Sequence, residues 1–137
     1  MNGEVRRTPL ASRPTLGMLV MSLDDRYTEA LVQSVGSFAT ANDLNLVVDL
    51  LDGPSLTTTD VAHASPYARI RPERYDGLIL TGGLAYRGAR AIEHLVAFQS
   101  RCGNVPLIGT SLWLEGLPSV VPDSYVGMRE AVEHLVE

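Results

Sequence analysis

Short apolar runs alternate along this chain with segments whose apolar residues recur at helical spacing, from residue 15 to the last residue. The apolar runs predict strands at 15–21, 45–51, 75–80, 105–109 and 119–121. The helical spacing predicts helices at 28–42, 88–100 and 124–137. This alternation is typical of a parallel sheet with helices on both faces. We therefore expect a three-layer, Rossmann-like α/β fold of about five strands.

Each predicted helix carries an apolar stripe that should pack against the sheet. The stripes consist of Leu31, Val35 and Phe38 in the first helix, Ile92, Leu95, Val96 and Gln99 in the second, and Met128, Val132, Leu135 and Val136 in the third. The segment 52–74 is less regular. Residues 57–64 suit a short helix, and we expect Pro66 and Pro72 to interrupt any structure after it.

The two ends of the chain differ in character. Residues 1–14 are polar with two prolines, which predicts a disordered leader or linker, and they lack the apolar stretch of a secretory signal. The last predicted helix has no stop signal after Leu135 and Val136. We expect residues 15–137 to form one domain that has been cut from a longer protein.

Composition excludes several classes of function. The net charge is −5 and no dense basic cluster exists, so we expect no direct contact with nucleic acid. The chain contains no Lys, which excludes Schiff-base and P-loop chemistry. One Cys forms no internal disulfide, and no apolar stretch approaches the roughly 18 residues of a membrane span. We expect a cytoplasmic protein without cofactor, metal site or membrane contact.

Parallel sheets bind ligands at the carboxyl ends of their strands, so the informative loops are 22–27, 51–54, 81–88 and 110–116. Asp24 and Asp25 come after the first strand, where they suit a sugar hydroxyl, an amine or a cation. Asp25 is equally well placed to cap the next helix. Thr81, Gly82 and Gly83 come after the third strand, where glycines either admit a ligand to the backbone or simply turn the chain.

Aromatic and polar residues occupy the remaining loops of this edge. Tyr27, Tyr86 and Trp113 suit stacking on a sugar or another ring, but they equally suit packing, which for Trp113 is the slightly favoured interpretation. Arg87 suits pairing with an anion, although a solvated side chain is the favoured alternative. Asp123 opens the last helix as a cap or as a cleft residue. No loop carries a recognisable catalytic set, so we expect no enzyme.

Three stretches of the chain resemble one family. Residues 116–128 with 131–135 (GLPSVVPDSYVGM, then AVEHL) are similar to the "lPsVxxDnxxGmxxAvxHLie" pattern of the sensor domains in the lac-repressor and ribose-binding-protein superfamily. Residues 75–80 (YDGLIL) resemble its "vDGlIl" strand, and residues 16–25 resemble its first strand and exit loop. The resemblance covers about residues 13–137 and identifies the chain with the N-terminal, periplasmic-binding-protein-like lobe.

The resemblance implies a lobe that closes with a second lobe on a small, sugar-like metabolite. It maps the ligand-binding residues onto Asp24, Asp25, Tyr27, Thr81, Gly82, Gly83, Ser111 and the hinge-side Asp123. The implied partners are a homodimer mate and an attached or separate output domain, which is a DNA-binding, diguanylate cyclase or histidine kinase module. Signal transduction or transcription regulation in a bacterium is the implied setting.

Two rival interpretations fit the same pattern. A receiver-like signalling domain also has an acidic pair after its first strand, but Thr81 stands where its phospho-acceptor Asp belongs and its Lys is missing, so that domain would be degenerate. The stretch 76–83 (DGLILTGG) resembles a strand of amidotransferase-like hydrolases. Those enzymes need a Cys at a strand-to-helix elbow, whereas Cys102 lies at a predicted helix end.

Overall fold

The computed structural model describes residues 13–51, 65–86 and 90–136. Its five strands form one parallel sheet in the order β2-β1-β3-β4-β5. The strands are β1 (Thr15–Val20), β2 (Asn45–Leu50), β3 (Gly77–Thr81), β4 (Leu107–Thr110) and β5 (Ser119–Val120). The helices are α1 (Arg26–Ala41), α2 (Ala91–Cys102) and α3 (Ser124–Val136). The predicted α/β fold and the order of its strands and helices along the chain are confirmed.

Successive residues of each strand point to opposite faces of the sheet, and the two faces carry different helices. Leu19, Leu78 and Leu80 face α2, where they form the main core with Leu95 and Phe98. On the other face, Met18 is fully buried, and α1 contacts that face where Gly36 approaches Leu46.

The segment before β3 is held on α2 by one aromatic pair and one arginine. Tyr67 stacks on Phe98 with ring centroids 4.9 Å apart. Arg101 donates to the carbonyl oxygens of Tyr67 and Ile70 and lies over the Phe98 ring. Pro66 and Pro72, which were expected to interrupt the segment after 57–64, each begin a short 3₁₀ helix. A proline suits the first position because it has no N–H to leave unpaired.

The structure corrects several predicted helix faces. In α2 the buried residues are Ala91, Leu95, Phe98 and Cys102, whereas Ile92 and Val96 are nearly half exposed. In α1 the fully buried residue is Ala39, and Phe38 is exposed. Periodicity predicts which side of a helix is apolar, but only to within about one residue around the helix axis. The element that packs against the helix decides which of those residues are buried.

The largest correction concerns α3, in which no residue is buried. The prediction that Met128, Val132, Leu135 and Val136 point inward was wrong, since all four are half exposed or more. The predicted leader lies almost entirely outside the described residues, as do the predicted helix 57–64 and Arg87. Within the described ranges, no helix is long and apolar enough to cross a membrane.

Candidate functional site

The strand order places one crevice at the carboxyl end of the sheet. From β1 the chain moves outward to β2 on one side, and from β3 it moves outward to β4 and β5 on the other. Ligands of parallel sheets bind where the order reverses in this way, which here is between β1 and β3. The residues directly after β1, β3, β4 and β5 therefore surround one candidate site.

The loop after β1 presents two carboxylates with different roles. Ser22 donates from its hydroxyl to Asp24 Oδ2 at 2.7 Å and accepts from the Asp24 backbone N–H, which shapes the loop around an exposed carboxylate. Asp25 caps α1 by accepting from the Thr28 backbone N–H at 2.8 Å. That backbone hydrogen bond lowers the pKa of the Asp25 carboxyl below its usual value. Asp24 is thus the carboxylate that helix capping leaves available.

Tyr27 and Ser111 join two loops of this edge. Their hydroxyl oxygens are 2.6 Å apart, which links the first turn of α1 to the end of β4. Ser111 has a left-handed backbone with φ of 53°, and its N–H donates to the Val120 carbonyl. The Ser111 hydroxyl is therefore directed toward Tyr27 by an unusual backbone conformation that β5 stabilises.

The residues after β3 pack closely against the same loops. Gly82 lies directly against the Ser111 backbone, with no room for a Cβ, and Gly83 lies beside Met21. The Thr81 hydroxyl donates to the Leu19 carbonyl at 3.0 Å, and its side chain is buried. Gly82 and Gly83 thus let the β3 loop approach its neighbours, while the Thr81 hydroxyl contributes to the sheet.

Three aromatic side chains at this edge are exposed. The exposed fraction is 55% for Tyr27, 86% for Tyr86 and 81% for Trp113. For Trp113 the sequence slightly favoured packing, either in the core or at a domain interface. Its exposure excludes packing in the core of this lobe. Exposed aromatic rings in loops that also carry an exposed carboxylate and hydroxyl groups suit a ligand that has both an apolar ring face and polar substituents.

Asp123 lies after β5 and caps α3. Its Oδ1 accepts from the Val126 N–H at 3.0 Å, and its side chain is exposed. Among the predicted site residues, Ser111 contacts both Tyr27 and Gly82 directly. The other predicted site residues lie at the same edge of the sheet. Sequence reasoning did not single out Ser22, although its hydroxyl lay inside the predicted exit loop 22–27.

Neither a metal site nor a reactive thiol is found in the described part of the chain. No group of His, Cys, Asp or Glu there is arranged to hold a metal ion. Cys102 is buried, and burial raises the pKa of its thiol, which disfavours the reactive thiolate.

A groove of about 780 Å³ lies beside α2 near Pro106 and Pro118. These residues precede β4 and β5, so the groove is at the opposite end of the strands from the candidate site.

Comparison with solved structures identifies the fold. The lac repressor dimer bound to operator and the anti-inducer ONPF superposes with a TM-score of 0.65 at 22% identity, over 92% of this chain and 36% of that one. The dimeric lac repressor with an 11-residue C-terminal deletion gives 0.63 at 20% identity, over 89% and 42%. The lactose repressor bound to ONPF in the induced state gives 0.62 at 23% identity, over 89% and 42%.

This chain is a lobe of the periplasmic-binding-protein-like type I fold. The lobe spans less than half the length of the repressor chains it matches. No family model and no curated protein matches its sequence. The resemblance inferred from the sequence is thus confirmed at the level of the fold.

Proposed function

We propose that this lobe binds a small, sugar-like metabolite in a cleft that a second lobe completes, and that it acts as the sensor of a cytoplasmic signalling or transcription regulator. The observation that carries the proposal is the Tyr27–Ser111 hydroxyl pair at the carboxyl edge. The exposed Trp113 follows Ser111 by two residues, and Asp24 precedes Tyr27 by three. In the repressor structures with this fold, ONPF is bound as an anti-inducer.

The chemistry of the edge favours a neutral, hydroxyl-rich ligand. Hydroxyl groups donate and accept, a carboxylate accepts, and an aromatic ring covers the apolar face of a sugar ring. In this proposal the ligand contacts are made by Asp24, Tyr27, Gly83 and Ser111, with Asp25, Thr81, Gly82 and Asp123 holding their loops. The function is binding without catalysis.

Signalling in this proposal works by population shift. The ligand binds the closed arrangement of two lobes more tightly than the open one, and the change in lobe angle reaches an output domain. A homodimer transmits that change symmetrically. The free energy available to the output domain equals the difference in ligand affinity between the two arrangements.

Native mass spectrometry followed by ligand screening tests the proposal. We expect the purified chain to carry a co-purified small molecule, or to be stabilised by members of a panel of monosaccharides and nucleosides. At ten times Kd the stabilisation is about 1.4 kcal/mol, a rise in Tm of roughly 4 °C. Trp113 is the single Trp, so its fluorescence reports occupancy of the edge directly.

A matched pair of serine variants makes the test specific to the site. Ser111→Ala should weaken binding of any sugar found, whereas Ser100→Ala, on α2 and away from the edge, should not. Absence of a bound mass, of stabilisation and of a fluorescence change across the panel would contradict the proposal. Equal effects of both variants would place the ligand elsewhere.

A further inference from the structure

Ser111 is held in a strained backbone conformation by contacts from three directions. Its φ of 53° lies in the left-handed region, which a residue with a side chain adopts at a steric cost. Its hydroxyl pairs with Tyr27 Oη at 2.6 Å, its N–H donates to the Val120 carbonyl at 2.8 Å, and its backbone lies against Gly82. Strained residues persist where neighbouring groups hold them, and they recur in switch regions. The strain therefore makes Ser111 a candidate switch between the elements it contacts.

The N–H of Ser111 forms the hydrogen bond between β4 and β5 that lies nearest to α3. Strand β5 is only two residues long, and its pairing with β4 ends at Thr110 and Val120. The bond from Ser111 to the Val120 carbonyl extends this pairing by one step. After Val120, Pro122 and Asp123 accept hydrogen bonds from α3 itself. The turn that begins α3 is thus attached to the sheet at the Val120 carbonyl.

Helix α3 depends on this attachment for its direction. None of its described residues is buried, so packing against the lobe does not orient the helix. Three residues, 121–123, connect it to β5. A change in the hydrogen bond at the Val120 carbonyl therefore changes the direction in which α3 leaves the sheet.

The peptide unit between Thr110 and Ser111 links the strain at Ser111 to this hydrogen bond. Thr110 lies in β4 and the Leu112 side chain is buried, so both neighbours of Ser111 are held in place. Because the peptide unit is planar and rigid, the φ of Ser111 can leave the left-handed region between two held neighbours only if that unit turns with it. The same rotation carries the N–H away from the Val120 carbonyl. Relief of the strain thus breaks the bond that anchors α3.

Of the three contacts that hold Ser111, the hydroxyl pair is the one that a small molecule can replace. Tyr27 is 55% exposed, whereas the contacts of Ser111 with Val120 and Gly82 are made by the backbone. A hydroxyl both donates and accepts, so a polar molecule at this edge can pair with the Tyr27 hydroxyl in place of Ser111. Separating the pair frees Ser111 from a partner that is fixed on α1.

We propose that the Tyr27–Ser111 hydroxyl pair is a conformational switch for α3. While the two hydroxyls are paired, Ser111 keeps its strained backbone and α3 keeps its direction, and a molecule that separates them frees both. The pairing and its effect on α3 are properties of this chain without any ligand. That a ligand is what separates the hydroxyls rests on the proposed function.

Hydrogen exchange of the Ser111 amide, measured relative to the Leu80 amide of the buried strand β3, tests the first step. Tyr27→Phe removes one hydroxyl and leaves Ser111 intact. It should raise the ratio of the two exchange rates on the order of fivefold, which corresponds to the loss of one hydrogen bond. The matched control is Tyr75→Phe, which removes a hydroxyl hydrogen bond of 2.7 Å to Asp49 and should leave the ratio unchanged.

Distances between two spin labels test the second step. Nitroxides on Ser37→Cys in α1 and Glu130→Cys in α3, both at exposed positions, report the direction of α3 by double electron–electron resonance. The native Cys102 is buried, and a stoichiometry of two labels per chain shows that it stays unmodified. We expect Tyr27→Phe to broaden the distance distribution or shift its mean, and Tyr75→Phe to leave it as in the wild type.

Three results would overturn the proposal. One is an unchanged ratio of exchange rates in Tyr27→Phe. Another is faster exchange of the Ser111 amide with an unchanged distance to α3, because the bond to Val120 would then not orient the helix. The third is an equal response of Tyr75→Phe, which would assign the effect to a general loss of stability.

The same labels separate this proposal from the proposed function. A monosaccharide or nucleoside that raises the Tm of the wild type should also broaden or shift the distance to α3. A compound that binds and leaves this distance unchanged would contradict the switch and leave the proposed function intact. If no compound of the panel binds, the proposed function fails, and Tyr27→Phe still tests the hydroxyl pair.

Discussion

The Tyr27 hydroxyl and the Ser111 hydroxyl, 84 positions apart in the chain, lie 2.6 Å from each other. The bond joins the first turn of α1 to the residue directly after β4, across the edge where the strand order reverses. Gly82 from the β3 loop packs against the Ser111 backbone. Three loops that are separate in sequence thus meet at Ser111, which makes it the residue most worth substituting.

Ser111 contributes both a hydroxyl and a left-handed backbone, and two substitutions separate them. Ser111→Ala removes the hydroxyl and keeps the steric cost of the positive φ, whereas Ser111→Gly removes the hydroxyl and that cost together. Because glycine adopts positive φ without steric cost, we expect the Gly variant to be more stable than the Ala variant by about 1 kcal/mol. Urea unfolding of both measures this difference. An Ala variant as stable as the Gly variant would show that the backbone there is unstrained.

Gly82 should tolerate no side chain. A Cβ at this position would overlap the Ser111 carbonyl oxygen, which belongs to the backbone and cannot move aside cheaply. We expect Gly82→Ala to lower the free energy of unfolding by roughly 1–3 kcal/mol.

The control is Gly127→Ala in α3, where a Cβ meets nothing within 4 Å. There the substitution should be neutral or stabilising by up to about 1 kcal/mol, because alanine favours helix. Denaturant unfolding of both variants tests the contrast, and a Gly82→Ala protein of wild-type stability would disprove the close packing.

Asp25 should make stability depend on acid pH. Its pKa is lowered in the folded chain by the Thr28 backbone hydrogen bond, so the carboxylate stabilises the folded state at pH values above its ordinary pKa of 3.8. That contribution is lost as the pH falls through the lower folded-state pKa. Asn caps helices as well as Asp but does not titrate.

We therefore expect Asp25→Asn to match the wild type in Tm near neutral pH and to lose less stability between pH 4 and pH 2, relative to its own neutral value. Asp25→Ala should be less stable than both at neutral pH. Thermal unfolding across this pH range measures the comparison. Identical acid profiles for wild type and Asp25→Asn would mean that the capping bond does not form.

Tyr75 should titrate late and stabilise the chain up to high pH. Its hydroxyl donates to Asp49 Oδ2 at 2.7 Å, and burial, together with that carboxylate, raises its pKa to about 12. A raised folded-state pKa gives stability that is present in full below pH 10 and is lost as the pH rises through about 12.

Tyr75→Phe leaves the partly buried Asp49 without this donor and should cost about 1 kcal/mol at neutral pH. It should also remove a tyrosinate absorbance step near pH 12. Ultraviolet titration of the two proteins checks the second effect. A difference spectrum that is complete by pH 10 would contradict the Asp49 contact.

Much of the architecture was predictable because local patterns determine it. Buried parallel strands read as apolar runs, and β1, β2 and β3 begin and end within two residues of their predicted bounds. Asp25 was predicted to cap the helix, to bind a ligand or to do both, and the structure shows the cap. The predicted site residues lie at one sheet edge for the same reason: each lies at the end of a strand or within a few residues after it.

The contacts between those residues were not predictable. Tyr27 and Ser111 meet only because β1 and β4 flank β3, which is a property of strand order. Trp113 is exposed and Phe98 is buried, although both side chains are large and hydrophobic. Hydrophobicity states that a side chain favours burial, and the neighbouring elements decide whether it is buried.

Sequence by itself determined the strands and helices of this protein, their alternation and the sheet edge at which its candidate site lies. These features depend on the spacing of apolar residues and on backbone hydrogen bonds between residues near one another in the chain or in adjacent strands. The tertiary structure alone decided which loops touch, which edge of each helix is covered, and that α3 leaves its apolar stripe open. Those outcomes depend on packing between residues far apart in the chain, where geometry, rather than residue type, selects the contacts.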